Sequence, residues 1–344
     1  MHVKNHYVPK CYLKNWQNPN GKVYMYRLLV SHPNVPIWRQ HSVAEIAYQE
    51  RLYTQIVAGC EVDEVERWFD QKFEQPAIEA LEKVTSESRL CPDDWGKLIN
   101  FLAAQDVRTP ARMFEHLQRA QKTLPQILED TGNRLQKHKN LSNPLFLKHQ
   151  GNNNNSRYFP IKVTSQLSEN SANRVLMLEA YVGRSSWLYS IKHLLENTKK
   201  ILHSHKWSII KPAEGYYWPT SDNPVVKINY HNQNNYDLKG GWGVRKGNIF
   251  FPIDPEHAMF VQIGDQPSKR NVRLNKAQTE ELIRISVENA HRNIFSVVED
   301  HNLPTLRKRI VSSEQFEREK NYMSEWPEQN RIIEEQYFAS SQRK

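Results

Sequence analysis

Cysteine is scarce. Cys11, Cys60 and Cys91 are the only three in 344 residues and show no CxxC spacing, so neither a disulfide framework nor a zinc knuckle is expected, and a reducing cytoplasm fits best. Long apolar runs are missing as well. Nothing approaches the ~18 consecutive apolar residues of a membrane span, and Met1-His2-Val3-Lys4-Asn5-His6 lacks the apolar core of a secretion signal. No Walker A loop, GxGxxG, HExxH or GxSxG occurs, which disfavours the common nucleotide, dinucleotide, zincin and α/β-hydrolase readings. No internal repeat is found. These absences predict a cytoplasmic protein without a membrane partner.

What the chain does hold is apolar and aromatic material: 38% hydrophobic and 10% aromatic residues, with nine Trp and fifteen Tyr, too much for a disordered chain. The formal charge is +9, and the excess is uneven. Between Pro110 and Gln150 seven basic residues stand against three acidic ones; between Arg184 and Lys211 six stand against one. Such segments either meet phosphates or form a solvated basic face. Nucleic acid or another phosphate-containing ligand is therefore one expected partner class.

Lys22 to Arg27 alternates across a strand after the turn pair Asn20-Gly21, which predicts an early strand or hairpin. Val62, Val65, Trp68, Phe69, Phe73, Ile78 and Leu81 recur at helical spacing, broken at Pro76. Pro92-Asp93-Asp94 opens a helix whose buried side is Trp95, Leu98, Ile99, Leu102 and Val107 and which reaches about Arg108. Helical pattern resumes from Ala111 to about Leu135. Residues 137–159, with Asn152 to Asn155, read as a mobile, low-complexity insertion. A helix is expected around Ala172 to Lys200, a strand at Lys206 to Ile210, and a late helix over Lys276 to Val297. The whole reads as a helix-rich α+β protein. One globular domain spans residues 1–300, with a small sheet from the N-terminal hairpin and strands in the 206–262 region. A charged helix and exposed tail follow over 301–344.

Four short, stiff motifs stand out: His6-Tyr7-Val8-Pro9, Arg108-Thr109-Pro110, Thr220-Ser221-Asp222-Asn223-Pro224 and Phe251-Pro252-Ile253-Asp254-Pro255. Proline restricts its own φ and the residue before it, so each motif presents a polar group on pre-set backbone. His6 is suited to acid, base or metal-ligand work, or to pinning the N-terminal segment. Asp222 and its neighbour Asn223 either close a local turn or aim a metal ligand or base into a cleft. Gln105 and Arg108 face one side of a helix end, where Arg108 would capture a carboxylate or phosphate or else serve as a salt bridge. Asn289 lies on the apolar stripe of the late helix, where an unsatisfied amide would cost about 1–3 kcal/mol. His203 and His205 would share a face if extended, a spacing known from metal sites, but no third ligand lies nearby.

In order and spacing these motifs resemble a bacterial family, domain of unknown function 4238. The features that carry the resemblance are His6 to Pro9 with Tyr12, Leu13 and Trp16, the Gln105/Arg108-Thr109-Pro110 helix end, Thr220 to Val225, Phe251-Pro252-Ile253, and Asn289 with Ala290 and Phe295. The chain departs from the pattern at Trp16, where Phe is expected, and at the Asn-rich insertion. The resemblance implies one continuous domain and supplies no mechanism. The expectation for the fold is that His6, Gln105, Arg108, Asp222, Asn223 and Asn289 converge. For function it is a hydrolase acting on a phosphate-containing or nucleic-acid substrate. His6 and Asp222 would be catalytic, a divalent metal is an available cofactor, and Gln105, Arg108, Asn223 and Asn289 would bind substrate. The alternative is a non-catalytic nucleic-acid-binding or interaction module.

Overall fold

The computed structural model describes residues 4–57, 60–137, 161–167, 174–232, 235–266 and 271–342. The expected insertion over 137–159 lies outside them except for Lys137. The N-terminal part holds β1 (Lys4–His6), α1 (Lys10–Leu13), β2 (Val23–Arg27), β3 (Leu29–Val30), β4 (Trp38–His41), β5 (Tyr48–Glu50), β6 (Gln55–Val57) and β7 (Cys60–Val62). Four helices follow: α2 (Glu64–Phe69), α3 (Gln75–Thr85), α4 (Pro92–Val107) and α5 (Pro110–Lys137). A hairpin of β8 (Ile161–Leu167) and β9 (Arg174–Ala180) leads to α6 (Arg184–His193) and α7 (Lys200–His203). Then come β10 (Ser208–Lys211), β11 (Thr220–Ser221), β12 (Val226–Asn232), β13 (Asn235–Asp237), β14 (Gly247–Pro252), β15 (Ala258–Gln262) and β16 (Val272–Arg273). The chain closes with α8 (Lys276–Asn289), β17 (Asn293–Ser296), α9 (Leu303–Leu306), β18 (Ile310–Val311) and α10 (Ser313–Gln342). With about 47% helix and 21% strand in several small sheets, the class is helix-rich α+β.

Among the described residues, ten strands form two principal sheets and the other eight form four two-stranded pairs. One runs β13-β12-β14-β15-β10-β16; the other, β11-β17-β2-β4, joins the N-terminal strands to the Thr220–Ser221 strand through Asn293–Ser296. Successive strand side chains point to opposite faces, and the six-stranded sheet uses both. Ile209, Ile249, Phe251 and Met259 join a core with Tyr12, Trp16 and helices α2 to α4. Ile210, Phe250 and Ala258 face the other way, into a core with Ile283 and Val287 of α8 and with Tyr26 and Ile294 of the four-stranded sheet. The motif segments therefore lie where the layers meet.

Three helices differ from the sequence pattern. Residues 174–180, expected as helix, are a strand paired along its whole length with Ile161–Leu167; the run Val175-Leu176-Met177-Leu178 has no helical period of its own, and the partner strand decides. The late helix stops at Asn289 instead of Val297 because the chain leaves it to pair Asn293–Ser296 with β2. The break expected at Pro76 is a π-helical turn over Asp70–Glu74, with Pro76 in the first turn of α3.

Helix α10 is docked as well as charged. Trp326, Asn330 and Glu334 are buried. Arg184 Nη2 donates to Glu334 Oε2 at 2.5 Å, Ser185 Oγ donates to Glu334 Oε1 at 2.5 Å, and the Arg184 N–H donates to Asn330 Oδ1 at 2.7 Å. Both ends of the Arg184–Glu334 pair are buried, so removing one leaves a charge without its partner. Glu334→Ala is expected to lower stability by roughly 3–5 kcal/mol in urea unfolding, and the apolar double change Arg184→Met/Glu334→Leu to recover most of it.

Candidate functional site

The last turn of α4 and the residues just after it bury almost every polar side chain they own: Gln105, Asp106, Arg108 and Thr109 are each 0–2% exposed. Two of them seize the N-terminal motif by its backbone. Gln105 Nε2 donates to the Tyr7 carbonyl at 2.8 Å, and Arg108 Nη2 donates to the His6 carbonyl. Glu66 accepts the His6 N–H from the other side. Arg108 Nη1 also donates to Glu74 Oε1 at 2.6 Å, and the guanidinium lies 4.5 Å from the centre of the Phe69 ring. The Tyr53 hydroxyl donates to the Arg108 carbonyl at 2.6 Å. Arg108 is thus held as a buried ion-pair partner.

The π-helical turn explains how two glutamates eight residues apart reach one arginine. In a regular helix such residues diverge by roughly 80°, whereas the residue inserted by a π turn restores about an i,i+7 relation and brings them back to one face. Electrostatics then separates the titrating groups. Burial pushes the Glu66 carboxyl up to about 7, with Arg108 opposing and Glu74 adding to the rise. Burial, followed by the charges of Lys10 and Arg108, pushes the His6 imidazole down to about 4. The ring bonds to the Ala44 carbonyl and sits 5.6 Å from the Tyr48 ring. His6 Nε2, Glu66 Oε2, Gln105 Oε1 and Arg108 Nε are buried and find no protein partner. An orphaned polar atom costs about 1–3 kcal/mol, so four in one cluster mark hydrogen-bonding capacity left open for water or a ligand.

The Asp222 motif is arranged in the opposite sense. Asp222 Oδ1 accepts the His291 N–H at 2.8 Å; Oδ2 accepts the Arg292 and Asn293 N–H groups at 2.8 and 2.9 Å and Asn293 Nδ2 at 3.2 Å. Asn223 Nδ2 donates to the Asn289 carbonyl at 2.9 Å, and Asn289 Nδ2 returns bonds to the Asn223 and Val225 carbonyls at 2.7 and 3.2 Å. The carboxylate therefore acts as an acceptor for the chain just beyond α8 and does not project into a cleft. The two amides lock the end of α8 to the turn.

The six expected residues thus fall into two clusters, His6, Gln105 and Arg108 in one and Asp222, Asn223 and Asn289 in the other. They meet where Thr109 Oγ1 donates to Asn223 Oδ1 at 3.4 Å, and where the charge of Asp222 adds to burial in pushing the Tyr7 phenol up. The segment of His203 and His205 is not extended: His203 ends α7 and bonds Asn100 Oδ1, while His205 bonds the Trp242 carbonyl. Among the described residues, no group of three or more His, Cys, Asp or Glu side chains is placed to hold a metal ion.

Three acids escaped the sequence reading, although the signal was present. Glu66 shares the helical stripe of Phe69 and Phe73, and Asp106 lies one turn beyond Leu102; an acid on an apolar stripe must find partners. Asp106 finds Arg112 Nε at 3.0 Å, Lys227 Nζ at 2.6 Å and Trp242 Nε1 at 2.7 Å. Glu74 is drawn in only by the π turn, which the sequence does not announce.

Residues 4–300 match the family described as protein of unknown function (DUF4238), and the chain belongs to it. Comparison with curated proteins and with solved structures returns no match.

Because Asp222 satisfies three consecutive backbone N–H groups, Asp222→Ala is expected to destabilise the fold by roughly 3–5 kcal/mol. Asp222→Asn, which keeps one acceptor, should cost less. Chemical denaturation of the two variants beside the parent measures both.

Proposed function

We propose that this chain is a hydrolase of acid–base type acting on a phosphate-containing substrate, nucleic acid included, with His6 and Glu66 as its proton-handling groups. The reading is carried by one observation: around a single buried arginine, an imidazole is pushed down to about 4 and a carboxyl up to about 7. Titratable groups driven apart by their surroundings are the usual mark of an acid and a base. Between those values the imidazole is neutral and the carboxyl holds its proton. His6 Nε2 then accepts a proton from the attacking water as the new P–O bond forms. Glu66 delivers its proton to the oxygen that leaves as the old P–O bond breaks. The exposed Lys4 and Lys10, whose charges act on His6, suit an anionic substrate. Arg108 and Gln105 position the His6 and Tyr7 peptides, and Asp222, Asn223 and Asn289 brace the neighbouring turn.

The test is turnover of aryl phosphomonoesters and phosphodiesters, single-stranded and duplex DNA, and RNA. His6→Ala and Glu66→Gln should each lower kcat by about a hundredfold to ten-thousandfold. Activity of the parent should rise with pH through about 4, as His6 loses its proton, and fall through about 7, as Glu66 does. Glu66→Gln should abolish the upper limb. A parent inactive on the whole panel, or an upper limb that survives Glu66→Gln, would sink the reading.

A second reading, a non-catalytic nucleic-acid-binding module, is favoured by one contact: α5 and α6, which open the two basic segments, pack together. Their stretches carry exposed Arg119, Lys122, Arg134, Lys200 and Lys206. Under it, affinity for nucleic acid falls steeply with salt, Arg119→Ala/Lys122→Ala weakens binding, and His6→Ala does not. Gel-shift titrations at several salt concentrations separate the two readings.

A further inference from the structure

The fourth proline motif takes no part in the site above, yet it fixes a second buried histidine. Its turn is held at many points: the Tyr12 hydroxyl donates to the Pro252 carbonyl, Asn15 Nδ2 to the Ile253 carbonyl, and the Trp218 N–H to the Pro255 carbonyl. Asp254 Oδ1 accepts the Glu256 and His257 N–H groups at 2.6 and 2.7 Å, and both its oxygens lie within 3.1 Å of His257 Nδ1. That carboxylate makes Nδ1 the proton-bearing nitrogen and orients the ring. Nε2 is directed away from Asp254, in a residue only 3% exposed, and finds no hydrogen-bond partner.

Nε2 faces Glu87, a half-exposed residue just after α3. Glu87 Oε1 accepts Lys211 Nζ at 2.5 Å, Oε2 accepts Asn271 Nδ2 at 3.4 Å, and Oε1 stops 3.8 Å short of His257 Nε2. Lys211 is itself 9% exposed. Glu87 holds this position with a left-handed backbone, φ +53°, a conformation that costs a non-glycine residue about 1–2 kcal/mol. A carboxylate of this chain therefore sits among Lys211 at the end of β10, Asn271 and His257 and bonds only the first two. A hydrogen phosphate carries both bare oxygens and a P–O–H group directed several ways, so it can accept from Lys211 Nζ and donate to the bare His257 Nε2 together, where the Glu87 carboxylate meets only the first.

We propose that Lys211, His257 and Asn271 form an oxyanion site for phosphate, free or as a monoester, which the Glu87 side chain fills as an internal substitute until it is displaced. Displacement requires only rotation of an exposed side chain, because Glu87 is joined to these residues through its carboxylate. The site uses none of the residues assigned to proton transfer, so the two assignments stand or fall separately.

Isothermal titration with inorganic phosphate and with phenyl phosphate tests it on the full chain. Glu87→Asn accepts the left-handed backbone and is too short to reach Lys211; it should bind phosphate at least tenfold more tightly than the parent. Adding Lys211→Met should remove that binding. Tighter binding of phenyl phosphate than of inorganic phosphate identifies an ester as the ligand, and the reverse order identifies the free ion. Absence of heat with either probe at tens of millimolar in Glu87→Asn overturns the proposal. So does binding that survives Lys211→Met in a variant that still unfolds cooperatively.

Discussion

The end of α4 is the constraint on which the rest of the structure depends. A helix ending inside a protein leaves carbonyl groups without partners and must point its last side chains at buried neighbours. Here each of those side chains reaches a different part of the chain: Gln105 takes Tyr7, Asp106 takes Lys227 and Trp242, Arg108 takes His6 and Glu74, and Thr109 takes Asn223. The N-terminal strand, the helical layer, the six-stranded sheet and the Asp222 turn are thereby registered against a single turn of backbone. Pro110 follows at once and opens α5, so the direction change that makes these contacts possible is built into the sequence.

The two polar clusters beside that turn differ in kind. Around Asp222 the acceptors and donors are matched: two carboxylate oxygens serve four N–H groups, and two asparagines exchange bonds with each other's main chain. Such a network fixes one geometry and asks for nothing more. Around His6 the backbone is equally well held while side-chain atoms of four residues stay unsatisfied. A group positioned through its peptide but left open at its reactive atoms is what preorganisation requires. This difference is why the proposed function places Glu66, and not Asp222, beside His6.

Local pattern made much of this legible. The prolines marked the rigid turns, Asn289 was identifiable as an amide that must find partners on an apolar stripe, and the end of α4 was readable from Arg108-Thr109-Pro110. Long-range pairing was not. The stop of α8 depends on residues 291–293 being taken by a carboxylate about seventy positions earlier, and β9 depends on a partner strand that its own apolar run does not specify. Likewise, nothing in Asp70 to Glu74 distinguishes a π turn from a regular helix. That turn decides whether Glu74 reaches Arg108, because a shift of one residue rotates a side chain about 100° around a helix.

Charge balance ties these points together. Arg108 is one buried cation between two carboxylates, and burial tolerates a single ion pair far better than an uncompensated third charge. Glu74 forms that pair directly at 2.6 Å, whereas Glu66 receives the His6 peptide N–H and keeps one oxygen without a partner. The proton that neutralises the cluster therefore belongs on Glu66. The same arginine adds to the burial that keeps His6 uncharged and opposes, without overcoming, the burial that raises Glu66, so desolvation leads and the guanidinium acts on the two groups in opposite senses.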